Sequence, residues 1–315
     1  MGVNVPDHIK NLKVYEPGKP VEELERELGL KNTIKLASNE NSLGPSPLAS
    51  KAVLEEVGGL SRYPDGGGFF LKQRISRFHG VSPENILLGN GSNEILEIAA
   101  RTFFTRGDNG VMADHSFVVY GLVTLASGAL PVKVPLRGFS HDLDRMARAV
   151  DGATRIVFIA NPDNPTGTSA GKEEFESFLS RVPESVLVIL DEAYAGYEER
   201  DDLPDSISLL KKTKNLLVLR TFSKIHGLAG LRIGYGVASE ELVANMNRVR
   251  QPFNTNSLAQ VAASAALTDT EHLKKSFESN RDGKRYLCAR FKSLGLSYVP
   301  SEANFILVEV QKGRQ

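Results

Sequence analysis

Apolar residues along this chain follow two kinds of pattern. Three short runs show no alternation at all: Arg155–Ala160 (RIVFIA), Val186–Leu190 (VLVIL) and Leu216–Arg220 (LLVLR). Unbroken Val, Ile and Leu over such lengths is what a strand covered on both faces requires, so these runs predict the centre of a parallel sheet. Leu231–Ala238 (LRIGYGVA) predicts a further strand. Other stretches carry helical spacing. Glu94–Phe103 is the plainest, with Ile95, Ile98, Ala99 and Phe103 on one face and Leu96 and Ala100 beside them. Strands alternating with helices give crossover units, and the expected fold class is α/β.

The pattern changes at both ends. Pro6, Pro17, Gly18 and Pro20 interrupt residues 1–30, leaving an arm with one short charged helix from Val21 to Leu28 that stops at Gly29. Residues 31–250 form the expected large domain. From 251 the reading is helical (Ser257–Leu267 and Glu271–Leu294), followed by a strand at Asn304–Val310. That shift predicts a smaller α+β domain over 251–315, incomplete because the chain ends five residues after Val310. No internal repeat or low-complexity tract is visible.

Composition narrows the function classes. The 315 residues include 38 basic and 38 acidic side chains, a formal charge of zero, so the cationic excess that neutralises nucleic-acid phosphates is missing. No apolar run approaches the roughly 18 residues of a membrane-spanning helix, and Met1–Pro6 is no signal peptide. Cys288 stands alone and cannot close an internal disulfide, which suits a reducing, cytoplasmic compartment. The six histidines show no metal-ligand spacing, and no metal is expected. A cytoplasmic enzyme acting on small molecules is the class that remains.

Ligands of open parallel sheets sit beyond the carboxyl ends of the strands. RIVFIA is followed by Asn161-Pro162-Asp163-Asn164-Pro165-Thr166-Gly167, VLVIL by Asp191-Glu192-Ala193-Tyr194, and LLVLR by Thr221-Phe222-Ser223-Lys224 with Arg232 beyond. An amide, a carboxylate with a phenol, and a hydroxyl–lysine–arginine group therefore converge on one sheet edge. Pyridoxal phosphate needs this set: a lysine for its aldehyde, a carboxylate for its ring nitrogen, hydroxyls and an arginine for its phosphate. Gly89-Asn90-Gly91-Ser92-Asn93, ahead of the Glu94 helix, adds a close backbone approach and a helix start that favours an anion. The same Gly-Asn-Gly opens a dinucleotide fingerprint only superficially, since Glu94 occupies the third glycine position.

The segments Ser38–Pro47 (SNENSLGPSP), Arg62–Gly66 (RYPDG), Gly89–Glu94 (GNGSNE), NPDNPTG, DEAY, Thr221–Tyr235 (TFSKIHGLAGLRIGY) and Ser301–Leu307 (SEANFIL) occur in that order. Together they resemble the fold-type I pyridoxal-phosphate-dependent aminotransferases, and most of all the histidinol-phosphate aminotransferase family, over Ser38 to Val310. The resemblance implies a large domain with a mostly parallel central sheet covered by helices. It implies that Lys224 joins the cofactor aldehyde and then moves a proton between substrate Cα and cofactor C4′. Asp191 would pair with the ring nitrogen, Asn164 and Tyr194 with the ring 3-oxygen, and Tyr120 would stack on the ring. Gly91, Ser92, Asn93, Thr221, Ser223 and Arg232 would surround the phosphate. Tyr63 would reach the phosphate of a neighbouring subunit, making a homodimer, and Asn304 would lie on the substrate side.

The family reaction implied is L-histidinol phosphate plus 2-oxoglutarate to imidazole-acetol phosphate plus L-glutamate, a step of histidine biosynthesis. An aromatic amino acid aminotransferase or a threonine-phosphate decarboxylase would use nearly the same cofactor contacts. A non-catalytic pyridoxal-phosphate-binding protein and a NAD-binding oxidoreductase are the alternatives from other classes. Asn93 stands where the family commonly has Asp, a change between two helix-capping residues. Arg314, in the short tail, is not assigned the family's substrate-binding arginine role.

Overall fold

The computed structural model describes residues 3–15 and 18–310; Arg314 and the rest of the tail from 311 lie outside the described residues. Seven strands form one sheet: β1 (Ile86–Gly89), β2 (Asn109–Ala113), β3 (Leu130–Val134), β4 (Thr154–Ala160), β5 (Leu187–Asp191), β6 (Leu216–Thr221) and β7 (Gly234–Val237). Their spatial order is β1-β7-β6-β5-β4-β2-β3. β2 to β6 run parallel, while β7 is antiparallel to both β6 and β1.

The three apolar runs become β4, β5 and β6, at the centre, where both faces are covered. Ile156, Phe158, Leu187, Ile189, Leu217 and Leu219 belong to one core with the helix Ser92–Phe103. Their neighbours Val157, Ile159, Val188, Leu190, Leu216 and Val218 pack into a second core with the helices Leu143–Arg148 and Lys172–Leu179. Side chains still alternate across the sheet, and both faces happen to be apolar.

Strand ends differ from the sequence reading in an informative way. β5 and β6 each run past the last apolar residue, so Asp191 and Thr221 are the terminal strand residues and are still paired, Asp191 with Ala160 and Leu219, Thr221 with Gly234. β7 is shorter than Leu231–Ala238. Ala229–Leu231 forms a tight turn and Arg232 takes a left-handed backbone, φ 56°, before pairing starts at Gly234. The helix expected from Glu94 starts at Ser92, and the long helix is Thr270–Ser293.

The strand expected at Asn304–Val310 does not form. A strand needs a run of backbone partners, and among the described residues this segment finds only a single bridge, Tyr298 with Val308, flanked by two further backbone hydrogen bonds. The helix Ser257–Ala266 packs against the helices Pro47–Glu56 and Phe69–His79 through Ala259, Ala262, Ala263 and Ala266, in a third core with β1 and β7. No helix among the described residues is long and apolar enough to cross a membrane.

Candidate active site

A cavity of about 700 Å³ opens at the carboxyl ends of β4, β5 and β6. Ser92, Asn93, Tyr120, Asn164, Asp191, Tyr194, Thr221, Ser223, Lys224 and Arg232 all line it. Gly91 stands directly behind: it caps the helix Ser92–Phe103 with φ 78°, and a Cβ there would overlap the Arg232 guanidinium. Only a glycine lets the arginine lie over that helix start.

Lys224 lines the cavity with Asp191, Tyr194 and Arg232. Its Nζ donates to the Ser38 carbonyl at 2.8 Å and lies 5.5 Å from the centre of the Tyr194 ring. Burial disfavours the ammonium and, with Arg232 nearby, brings the lysine down to about 8; Glu40 and Asp191 act in the opposite direction. A lysine poised near neutrality is a competent nucleophile toward an aldehyde.

Asp191 is 4% exposed. Its carboxylate accepts from Tyr120 Oη at 3.0 Å and from the Ala193 N–H at 3.1 Å. Both donors are neutral, so desolvation dominates and lifts the carboxyl to about 6. A buried carboxylate in this condition favours a cationic N–H partner. Tyr120 lies parallel with Phe158, ring centres 5.0 Å apart, and edge-on to Phe117.

Tyr194 Oη accepts from Asn164 Nδ2 at 2.9 Å and from Asn39 Nδ2 at 3.0 Å. Asn164 is presented by a turn locked at Asp163, which is 1% exposed. The Asp163 carboxylate accepts from Ser116 Oγ at 2.6 Å and Thr166 Oγ1 at 2.9 Å, and His141 Nε2 lies 3.0 Å away. At the opposite pole, Thr221 Oγ1 donates to Ser223 Oγ at 3.0 Å, and Arg232 Nη1 donates to the same Ser223 oxygen at 3.3 Å. The free N–H groups of the helix beginning at Ser92 complete an anion site.

Two residues singled out in the sequence lie elsewhere. Asn304 does not line the cavity; its Nδ2 donates to the Asn39 carbonyl at 3.0 Å while its Oδ1 is buried without a partner. Tyr63 is 83% exposed and stacks on Phe253, ring centres 4.9 Å apart. Conversely, Tyr15, Ser38, Asn39, Glu40 and Phe117 line the cavity although the sequence pointed to no role for them. The SNEN motif was the available signal for three of these. Its chemistry shows only once the chain crosses over Lys224.

The residues fit pyridoxal phosphate at each functional group. The depressed lysine suits the aldehyde, the uncompensated carboxylate of Asp191 suits a pyridinium N–H, and the hydroxyl–arginine–helix pole suits the phosphate. Among the described residues no group of acidic, His or Cys side chains is placed to hold a metal ion.

Comparison with known proteins identifies the family. The model of the family described as aminotransferase class I and II matches residues 31–314. A histidinol-phosphate aminotransferase of Moorella thermoacetica is 52% identical over 305 residues, spanning 96% of this chain and 79% of that protein. Histidinol-phosphate aminotransferase 2 of Hydrogenovibrio crunogenus is 49% identical over 303 residues, with 96% and 81% covered. The crystal structure of the histidinol-phosphate aminotransferase of Sinorhizobium meliloti in complex with pyridoxal-5'-phosphate superposes with a TM-score of 0.91 at 31% identity, covering 99% of this chain and 84% of that one. A chain with this sheet, this lysine-centred cavity and these relatives belongs to the class I and II aminotransferases, in the histidinol-phosphate aminotransferase family.

Proposed function

We propose that this chain moves the amino group of L-histidinol phosphate to 2-oxoglutarate, giving imidazole-acetol phosphate and L-glutamate, with pyridoxal phosphate as cofactor. The relatives at about half identity over nearly the whole chain supply the substrate. The observation that carries the chemistry is Lys224, its ammonium disfavoured by burial, in one cavity with Asp191, Tyr194 and Arg232.

Pyridoxal phosphate, when bound, supplies an aldehyde for amine nitrogen and a conjugated ring that accepts the electrons released at substrate Cα. The chain's residues divide the remaining work. Lys224 Nζ would hold the aldehyde and, once displaced by the substrate amine, would move a proton from Cα to C4′. The Asp191 carboxylate accepts the ring N–H and keeps that nitrogen protonated. The Tyr194 O–H donates to the ring 3-oxygen, and the second N–H of Asn164 does the same, its first being used on Tyr194. Tyr120 presents its aromatic ring to the cofactor ring. Gly91, Ser92, Asn93, Thr221, Ser223 and Arg232 bind the phosphate.

Tyr63 belongs to this scheme in a homodimer, where its exposed ring enters the partner's phosphate site. Asn304 supports the substrate side through the Asn39 carbonyl. The large domain (31–250), the arm (1–30) and the smaller C-terminal part (251–315) follow the family arrangement, and the enzyme works in the cytoplasm.

The deciding experiment is a visible spectrum of the holoenzyme with L-histidinol phosphate and no 2-oxo acid. The cofactor band should convert, and 2-oxoglutarate should restore it. A band that responds to phenylalanine and ignores L-histidinol phosphate would move the substrate to an aromatic amino acid. A band that no amine changes would overturn the transaminase reading.

A further inference from the structure

Asn39 reaches the phenol beside the reactive lysine, and its position is tightly determined. It adopts a left-handed backbone, φ 53°, directly after Ser38 at φ 70°. The Ser38 carbonyl accepts from Lys224 Nζ, and the Asn39 carbonyl accepts from Asn304 Nδ2. Asparagine tolerates this backbone region better than most side chains, so the crossing segment can place an amide here without a glycine. The amide donates to Tyr194 Oη from the side opposite in sequence to Asn164, and the two bonds have nearly equal length, 3.0 and 2.9 Å.

A phenol oxygen offers two acceptor sites and one donor proton. With two amide N–H groups on the oxygen, Tyr194 is left to act as a donor. We propose that Asn39 is a positioning residue for the reaction, acting through Tyr194: its amide holds the phenol in the donor orientation and strengthens the bond that the phenol gives to the cofactor's ring oxygen. The idea rests on the reading of Tyr194 as the contact of that oxygen. Burial is the largest influence on the phenol and leaves it a weaker acid, at about 12, while the bond from Asn39 is the largest influence in the opposite direction. Removing it weakens Tyr194 as a donor. The ring oxygen then keeps more negative charge and holds the proton on the adjoining Lys224 nitrogen more tightly, so the pH at which the bound chromophore titrates must rise.

The test is a pH titration of the visible absorbance of reconstituted holoenzyme, with no substrate present. Asn39→Gly removes the amide and relaxes the left-handed backbone. It should raise the midpoint by about half to one pH unit, the net worth of one hydrogen bond between neutral groups. Asn39→Ala, which loses the donor and adds no charge, should raise it as far; if the glycine variant does not fold by circular dichroism, this variant decides. Tyr194→Phe separates the proposal from its premise. If Tyr194→Phe leaves the midpoint unchanged, the phenol does not meet the ring oxygen and both readings fall. If Tyr194→Phe raises it and the Asn39 variants do not, the role of Asn39 alone is refuted. In the Tyr194→Phe background, Asn39→Gly should add no shift; a full additional shift would show that Asn39 acts by another route and overturn the proposal.

Discussion

Lys224 concentrates the residue-scale chemistry, and its surroundings make two expectations measurable. Truncation in Lys224→Ala removes one hydrogen bond together with a disfavoured ammonium, so stability should change by less than about 1 kcal/mol. Covalent capture of pyridoxal phosphate and turnover should both be lost. Melting curves and reductive trapping followed by mass measurement check the pair, and normal transamination by this variant would remove Lys224 from its role. The second expectation concerns pH. The neutral amine is the nucleophile, and the buried lysine becomes neutral above about 8 rather than near its ordinary 10.5. The rate at which cofactor-free protein captures pyridoxal phosphate should therefore climb about tenfold per pH unit below that midpoint and level off above it. A climb continuing to the ordinary lysine range would show that burial does not tune this group. These side chains were legible in the sequence because each follows a recognisable apolar run. Asn39, Ser38 and Tyr15 were not, since nothing local in their segments says that they line the cavity around the lysine.

Between elements, β7 carries most of the constraint. It lies between β6 and β1 and presents Gly234 to backbone on both sides. A Cβ at Gly234 would stand 2.7 Å from the Ser92 nitrogen and 2.9 Å from the Arg220 carbonyl oxygen, neither of which can swing away as a side chain would. Gly234→Ala should cost about 1–3 kcal/mol as an overpacked site. By pushing on Ser92 it should also weaken pyridoxal phosphate binding. Thermal unfolding of the cofactor-free protein and a cofactor titration read the two effects separately, and unchanged affinity would mean that the helix start accommodates the methyl group. The central strands were readable because short unbroken runs of Val, Ile and Leu, each closed by polar turn residues, suit a strand buried on both faces and little else. β2 and β3 were not named: β2 opens with Asn109-Gly110, a turn signal, and β3 contains Pro131 and Lys133, as edge strands do. In the folded chain Gly110 serves close packing, since a Cβ there would lie 2.9 Å from the Phe104 ring. The failed strand at Asn304–Val310 has the converse cause: its residues suit a strand, but pairing partners are a property of the rest of the chain.

At the scale of the whole molecule, the proposed homodimer has a sharp consequence. If each site combines Lys224 of one chain with Tyr63 of the other, Lys224→Ala and Tyr63→Ala chains should rescue each other. After unfolding and refolding as an equal mixture, half the dimers carry one chain of each kind and one intact site, giving about a quarter of the parent activity. No gain over the separate variants would place Tyr63 outside the partner's site. The exposed Tyr63–Phe253 stack is the surface this experiment interrogates.

The sheet order also imposes a schedule on the protein's synthesis. β3, β4, β5 and β6 each pair with a strand made before them, so five strands can assemble in step with translation. β1 cannot join them, because its ladder is to β7, roughly 150 residues downstream, a wait on the order of ten seconds at ribosomal speeds. Lys224 leaves the ribosome before β7 does, and the helix start at Ser92 is seated against β1 and β7 as well as on the core of β4, β5 and β6. A nascent chain halted before Val237 thus carries the reactive amine and the residues of the phosphate seat before the β1–β7 ladder beside them has closed.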